Sequence, residues 1–150
     1  MLTTSKSLQS VTKLVVALVL SLLMPMSAHS ADSETHTVKA QGLKFMPLVV
    51  TIDNGDTVSW RNMPTHNTKS LEGFIPEGAE HWESKIGKNY DHTFTQDGIY
   101  LYKCVPHWGA GMGGAVIVGD PVNLEKIKNA DAKGAAGRLA RKAIKKAESM

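Results

Sequence analysis

A single cysteine, Cys104, limits what this 150-residue chain can fold into more than any other feature of its sequence. One cysteine excludes an intramolecular disulfide framework and every Cys-x-x-Cys redox or zinc motif. The fold must therefore depend on an ordinary hydrophobic core, and 42% hydrophobic with 21% charged residues is sufficient for one domain. Four roles remain for the thiol: a buried apolar group, a nucleophile, an intermolecular bridge or a metal ligand.

The first 30 residues have the pattern of a secretory signal peptide. Lys6 and Lys13 make a positive beginning, and an uncharged apolar run follows at residues 14–24. Small residues precede a predicted cleavage site before Ala31. A transmembrane helix is the alternative, but it needs about 20 apolar residues. The sequence therefore predicts that residues 1–30 are removed on export.

Export would change the net charge of the chain and the redox environment of its cysteine. Loss of Lys6 and Lys13 takes the chain from a formal net charge of +3 to 15 basic and 14 acidic side chains, or +1. A nearly equal number of basic and acidic side chains argues against nucleic-acid binding. No further apolar segment is long enough for membrane insertion. We expect a soluble periplasmic protein, in an oxidising compartment where an unpaired thiol is at risk.

Residues 35–120 contain short β-strand patterns separated by turn residues. Strands are predicted at 48–52, 57–60, 93–95, 99–103 and 114–119, with turns at Asn54-Gly55 and Asp97-Gly98. The second turn is predicted to close a β-hairpin. The polar residues 61–90 are expected to be irregular, with one helical turn near 82–86. Short strands at this spacing predict an all-β domain, an antiparallel β-sandwich.

The composition changes toward the C-terminus, where two helices are predicted at 123–130 and 132–148 because each segment has one apolar stripe. The basic run 138–146 could bind nucleic acid or a membrane, but behind an export signal a solvated helix face is the simpler interpretation. We therefore expect residues 121–150 to form a helical extension packed on the sandwich of residues 31–120.

Cys104 begins a nine-residue sequence, Cys-Val-Pro-His-Trp-Gly-Ala-Gly-Met, that contains three potential metal ligands. His107 supplies an imidazole and Met112 a thioether, and the segment lies between two predicted strands. His66 follows an earlier strand, and the loops of a sandwich gather at its ends. A thiolate with two imidazoles and a weak axial thioether is typical of an electron-transfer copper site, whereas zinc sites use Cys, His and carboxylate ligands.

Such a site has no open position for a substrate, so we predict an electron carrier and not an enzyme. A nucleophilic pair of Cys104 and His107 is less favoured, since no acid is placed to orient the histidine. A copper enzyme would need an open coordination position or more histidines. A copper-binding or delivery protein is the alternative, although it more often has several exposed Met or His residues. The remaining histidines, His36, His81 and His92, are expected to be exposed.

The spacing Cys-x-x-His-x-x-x-x-Met, with His66-Asn67 upstream, resembles the ligand pattern of the cupredoxins. Within that family, the segment at residues 75–80 and the two C-terminal helices make the chain similar to the pseudoazurins. Plastocyanins end soon after their last strand, and amicyanins have a shorter loop. The resemblance implies a cupredoxin-like Greek-key sandwich with one type 1 copper ion. It implies four copper ligands, His66, Cys104, His107 and Met112. Asn67 would join the two ligand loops by hydrogen bonds.

The resemblance also implies a monomeric periplasmic carrier that exchanges single electrons with redox proteins. An upstream donor would reduce it, and a dissimilatory nitrite reductase of denitrification would accept the electron. A carrier that serves another partner, as plastocyanins and amicyanins do, is the alternative. His107 would expose its ring edge within an apolar patch formed by Pro106, Trp108, Ala110 and Gly111. Lysines around this patch would steer an acidic partner: Lys69, Lys85, Lys88 and Lys103.

Overall fold

The computed structural model describes residues 32–150, and the predicted signal peptide at 1–30 lies outside the described residues. Within residues 32–150, eight strands form two four-stranded sheets that enclose a common core. The first sheet, in the order β2-β1-β4-β6, contains β1 (Thr35–Gln41), β2 (Lys44–Met46), β4 (Thr57–Arg61) and β6 (Tyr90–Thr93). The second, in the order β3-β8-β7-β5, contains β3 (Val49–Ile52), β5 (Lys69–Ser70), β7 (Gly98–Lys103) and β8 (Gly113–Val118). The predicted β-sandwich is confirmed.

Two strand pairs are parallel, so the sheets are mixed and not antiparallel throughout as the strand pattern predicted. Strand β1 runs parallel to β4, and β3 runs parallel to β8. Between β1 and β4 the chain forms β2 in the same sheet and β3 in the other, then returns beside β1 in the same direction. Turn residues indicate that the chain reverses, but they do not specify which strand the next one joins.

The Asp97-Gly98 turn does not close the predicted hairpin, because β6 and β7 lie in different sheets. The Asn54-Gly55 turn likewise connects strands of different sheets, β3 and β4. Asn54 Nδ2 donates to Asp97 Oδ1 at 2.8 Å, so both turns lie at one end of the sandwich. The helical turn expected near 82–86 is also wrong, because Glu83 forms an isolated β-bridge with Lys69.

Strand β7 is buried on both faces, so it gives the loop that follows it a well-packed base. Its Tyr100 and Tyr102 side chains join the core between the sheets, where Trp60 is fully buried. Ile99 and Leu101 belong to a second core cluster, formed with the C-terminal helices. A strand covered on both faces has an almost continuous apolar sequence, which explains why the β7 segment lacks a polar face.

The two predicted C-terminal helices are confirmed, and they cover the outer face of the second sheet. Helix α1 extends over Leu124–Asn129 and helix α2 over Gly134–Ala147. The apolar stripe of α2, formed by Leu139, Ala143 and Ala147, is buried in the second core cluster. Residues 32–150 therefore form one compact unit in which helix α2 packs directly on β8.

The carboxylate of Asp56 organises the turn between β3 and β4, far from the ligand loop. It accepts hydrogen bonds from the backbone N–H of Glu34 at 2.7 Å, from Nε2 of His36 at 2.8 Å and from the backbone N–H of Asp53 at 3.0 Å. These bonds, above all those from Glu34 and His36, hold the pKa of Asp56 below its ordinary value.

A lowered carboxyl pKa contributes stability that is present above the pKa in the unfolded chain and is lost as the pH falls through the folded value. We expect wild-type stability to decrease more steeply than that of Asp56→Asn, which carries no such charge, as the pH falls from about 5 to about 2. Urea unfolding across this range measures both slopes. The exposed Asp120→Asn variant should behave as wild type, and equal slopes for wild type and Asp56→Asn would contradict the prediction.

Candidate metal centre

Three segments meet at the end of the sandwich that lies opposite the Asn54-Gly55 turn. His66 lies in the loop after β4, and Cys104 follows the last residue of β7 directly. Met112 immediately precedes β8, so the antiparallel pair β7–β8 positions both ends of the ligand loop. The third segment contains Ser84 and Gly87, and the Gly87 N–H donates to the carbonyl of His66 at 3.0 Å.

The side chains of His66, Cys104 and His107 converge on one point, and in residues 32–150 they form the group that could hold a metal ion. Cys104 Sγ lies 3.7 Å from His66 Nδ1 and 3.3 Å from His107 Nδ1, and the two Nδ1 atoms are 3.1 Å apart. The point equidistant from the three atoms is about 2.0 Å from each, close to the length of metal–imidazole and metal–thiolate bonds. The triangle therefore has the size that one metal ion requires.

The chemistry of these donors fits copper. The group offers one sulfur and two nitrogen atoms, and among the described residues it includes no carboxylate. Calcium and magnesium bind oxygen ligands, whereas a trigonal set of thiolate and two imidazoles is typical of copper sites that transfer electrons. The residues present could therefore hold one copper ion.

Burial differs between the two histidines. Cys104 has no exposed surface and His66 is 7% exposed, whereas His107 is partly exposed. Burial lowers the pKa of His66, and the neighbouring His107 imidazole lowers it further. A lowered pKa keeps the imidazole neutral, which is the form that binds a metal. The centre thus has a buried thiol and one imidazole that reaches the surface.

Backbone hydrogen bonds close the ligand loop tightly. The Cys104 N–H donates to the carbonyl of Met112 at 3.0 Å, and the Met112 N–H donates to the carbonyl of His107 at 3.1 Å. A short 3-10 turn over Trp108–Ala110 ends at Gly111, whose φ of 79° is left-handed and favours glycine. The Met112 side chain is 1% exposed and lies in the same core cluster as Cys104.

The buried side chain of Asn67 connects all three segments. Its Oδ1 accepts a hydrogen bond from the Val105 N–H at 2.8 Å, and its Nδ2 donates to the carbonyl of Ser84 at 3.3 Å. Asn67 is 2% exposed, so its polar atoms depend on these partners and have little access to water. The side chain thereby fixes the position of His66 relative to Cys104.

Asn67→Ala is expected to lower the free energy of unfolding by about 1–3 kcal/mol, because it leaves the partly buried Val105 N–H and the buried Ser84 carbonyl without a partner. It should also change the visible spectrum of the copper-loaded protein, since the ligand loops are no longer joined. Urea unfolding and absorption spectroscopy measure the two effects. The matched control is Asn89→Ala at an exposed position. Identical behaviour of the two variants would contradict the prediction.

The remaining histidines lie away from this centre, and two of them are not exposed as expected. His36 is partly buried and contacts the carboxylate of Asp56. His92 is partly buried and stacks on Trp82, with ring centroids 4.9 Å apart. His81 is exposed, as predicted. Packing of strands that are distant in sequence decides the exposure of these side chains.

Two hydrogen bonds at the ligand loops are not predicted by any sequence pattern. One is the Ser84 carbonyl that accepts from Asn67. The other is made by Arg138 of helix α2, whose Nη2 donates to the carbonyl of Gly111 at 2.6 Å. Serine and arginine at helix or loop positions are common, and only the packing of distant segments brings them to the loop.

Comparisons with known proteins cover the whole sandwich. The model of the family of copper-binding proteins, plastocyanin/azurin family, matches residues 32–119. The pseudoazurin of Paracoccus pantotrophus is 38% identical over 108 residues, which are 67% of this chain and 73% of the relative. The chloroplast plastocyanin of Tetradesmus obliquus is 34% identical over 76% of this chain and 84% of its own. The crystal structure of native pseudoazurin from Hyphomicrobium denitrificans, 32% identical, matches 75% of this chain and 97% of its own with a TM-score of 0.66.

Proposed function

Because the chain belongs to the plastocyanin/azurin family of copper-binding proteins, we propose that it carries single electrons in the periplasm to a dissimilatory nitrite reductase. Copper is its cofactor, and like the pseudoazurins that it resembles, it is an electron carrier and not an enzyme. The proposed ligands of one type 1 copper ion are His66, Cys104, His107 and Met112. The proposal for His66, Cys104 and His107 rests on the triangle of their donor atoms, with sides of 3.1, 3.3 and 3.7 Å. The proposal for Met112 is supported by its burial in the same core cluster as Cys104.

The residues around the centre would hold the ligands in one arrangement in both oxidation states. When bound, copper supplies the single electron that is exchanged. Asn67 joins the two loops, and the backbone bonds between Cys104 and Met112 close the second of them. Ligands that cannot relax toward the preferred geometry of either oxidation state reorganise little when an electron enters or leaves. Burial of Cys104 also keeps water and oxidants away from the sulfur.

His107 is the proposed exit for the electron, because it is the part of the donor group with an exposed ring. Val105 is 42% exposed beside it, and Pro106, Gly109 and Ala110 are exposed as well. Together these residues make a small apolar surface at the end of the sandwich. A small contact area suits a brief encounter between redox proteins, in which fast dissociation matters as much as recognition.

The charge distribution favours an acidic partner. Residues 121–150 carry eight basic and three acidic side chains, whereas residues 32–120 carry seven basic and eleven acidic ones. Arg138 brings the basic helical extension to the edge of the ligand loop. Of the four lysines proposed to surround the patch, Lys85 and Lys88 are exposed, whereas Lys69 pairs with Glu83 at 2.7 Å and Lys103 lies over the Trp108 ring.

The proposed boundaries of the segments follow from the predicted signal peptide and from the change of composition after residue 120. Residues 1–30 would be the signal peptide, residues 31–120 the copper-binding sandwich and residues 121–150 its helical extension, in a monomeric protein. In the described part of the chain, no helix has both the length and the apolar character needed to cross a bilayer. In the oxidising compartment that this proposal requires, burial and a bound metal ion would protect the Cys104 thiolate.

A copper delivery role is less well supported by the geometry. Transfer of an ion to another protein needs ligands that the partner can reach. Cys104 is 0% exposed and Met112 is 1% exposed, so only His107 is accessible from outside. This arrangement would retain the copper ion and still allow electron transfer through His107.

Mixing the reduced protein with a copper or haem nitrite reductase is expected to oxidise it, at a bimolecular rate that falls as ionic strength rises. Salt screens the attraction between the basic helical extension of the carrier and an acidic docking site, with a screening length of about 10 Å at 0.1 M. Stopped-flow absorption of the oxidised carrier measures the rate. Failure of both reductases to oxidise the protein would contradict the proposed partner, and a rate insensitive to salt would contradict the electrostatic docking.

A further inference from the structure

Helix α2 contacts the ligand loop on both sides of Met112. On one side, Arg138 Nη2 donates to the carbonyl of Gly111 at 2.6 Å. On the other side, Leu139 packs so closely on Gly113 that a β-carbon there would lie 2.7 Å from Leu139 Cδ1. Consecutive residues of the helix thus contact the two residues that flank Met112.

The Gly111–Met112 peptide plane is held at both ends. Its oxygen accepts from Arg138, and its N–H donates to the carbonyl of His107 at 3.1 Å. The guanidinium also lies against the α-carbon of Gly111, since a β-carbon at that position would be 2.7 Å from Arg138 Nη2. The orientation of this plane sets the direction in which the Met112 side chain leaves the backbone.

Arg138 is the part of this arrangement that comes from outside the loop. The backbone hydrogen bonds of Met112 with Cys104 and His107 connect residues within the loop, so they do not fix the loop relative to the rest of the protein. The bond from Arg138 instead anchors the loop to a helix whose apolar stripe is buried on β8. Hydrogen bonds from a charged donor are shorter and stronger than neutral ones, and a bond of this kind can restrain the loop from an exposed position.

We propose that Arg138 is a positioning residue that sets the approach of the Met112 thioether to the copper ion and thereby tunes the reduction potential. This inference rests on the proposed role of Met112 as axial ligand. The axial ligand is one of the main determinants of the potential in such copper sites. A helix added after the sandwich therefore has a function at the centre beyond covering the sheet.

Geometry and charge predict opposite effects when Arg138 is replaced by Met. Loss of the bond releases the loop and weakens the thioether contact, which favours Cu(I) and raises the potential. Loss of a positive charge alone would stabilise Cu(II) and lower the potential. The direction of the shift therefore separates a positioning role from a general electrostatic one.

The test compares Arg138→Met with Arg141→Met and Arg138→Lys, all loaded with copper. Arg141 is an exposed arginine on the same helix and provides the matched loss of charge. Voltammetry at low and high salt gives the potential, and absorption gives the ratio of the two thiolate-to-copper bands. We expect Arg138→Met to raise the potential and change the ratio at both salt concentrations, Arg141→Met to do neither, and Arg138→Lys to restore most of the wild-type values.

A lowered or unchanged potential in Arg138→Met, or a shift that disappears at high salt, would overturn the inference. Amide hydrogen exchange of the metal-free proteins provides a second measurement that does not depend on copper. The Met112 N–H should exchange about tenfold faster in Arg138→Met than in Arg141→Met, because the peptide plane is released. Equal exchange would overturn the inference. A wild-type protein without thiolate-to-copper absorption would instead refute the proposed function.

Discussion

Replacement of Cys104 by Ala is expected to abolish the intense visible absorption of the copper-loaded protein. That absorption requires a thiolate bound directly to Cu(II), and Cys104 is the single cysteine of the chain. Its sulfur lies 3.3 and 3.7 Å from the two imidazole nitrogens, so no other described side chain can take its place in the triangle. The reversible one-electron signal in voltammetry should disappear together with the colour, because two imidazoles and a weak thioether do not hold copper in this geometry without the thiolate.

The matched control is Met112→Leu, which removes the thioether and keeps the thiolate. This variant should remain coloured and should have a higher potential, since a weak sulfur donor to Cu(II) is lost. Leucine is close to methionine in volume, so the buried position remains filled. A colourless wild-type protein, or a Cys104→Ala variant that keeps the absorption, would refute the proposed centre.

Copper binding is expected to raise the unfolding temperature by about 15 °C over that of the metal-free protein. An ion that binds only the folded state, at a free concentration about 1,000 times its dissociation constant, stabilises that state by about 4 kcal/mol. For a domain of this size, 1 kcal/mol corresponds to roughly 4 °C. The proposed ligands His66 and Cys104 are 38 residues apart, so a bound ion would add bonds between two distant loops that unfolding must break.

Differential scanning calorimetry of the metal-free and copper-loaded proteins under anaerobic conditions measures this difference. Cys104→Ala should show little of it, because it lacks the thiolate and retains only imidazole and thioether donors. The metal-free Cys104→Ala variant should remain close to the metal-free wild type, since one buried sulfur contributes about 1 kcal/mol of packing. Equal unfolding temperatures with and without copper in the wild type would contradict the prediction.

Much of the fold was predictable because its signals are local. The apolar runs that became β3, β7 and β8, and the apolar stripe of α2, depend on residues within a few positions of one another. Turn residues at Asn54-Gly55 and Asp97-Gly98 also mark real reversals. They do not form hairpins, because each connects strands of different sheets. The pairing of β1 with β4 and of β3 with β8 depends on which strands close the core together.

The candidate centre likewise has features that were predictable from the sequence and features that depend on the fold. The chemistry was predictable without the fold: one thiol, an imidazole and a thioether within nine residues, with His66 upstream, point to copper. Their donor types and spacing are properties of short segments. The way in which the three donor atoms meet depends on the packing of the whole domain, because His66 lies in a loop 38 residues away from Cys104. The same packing also brought Ser84 to Asn67 and Arg138 to Gly111, since contacts between distant segments arise from the packing of sheets and helices.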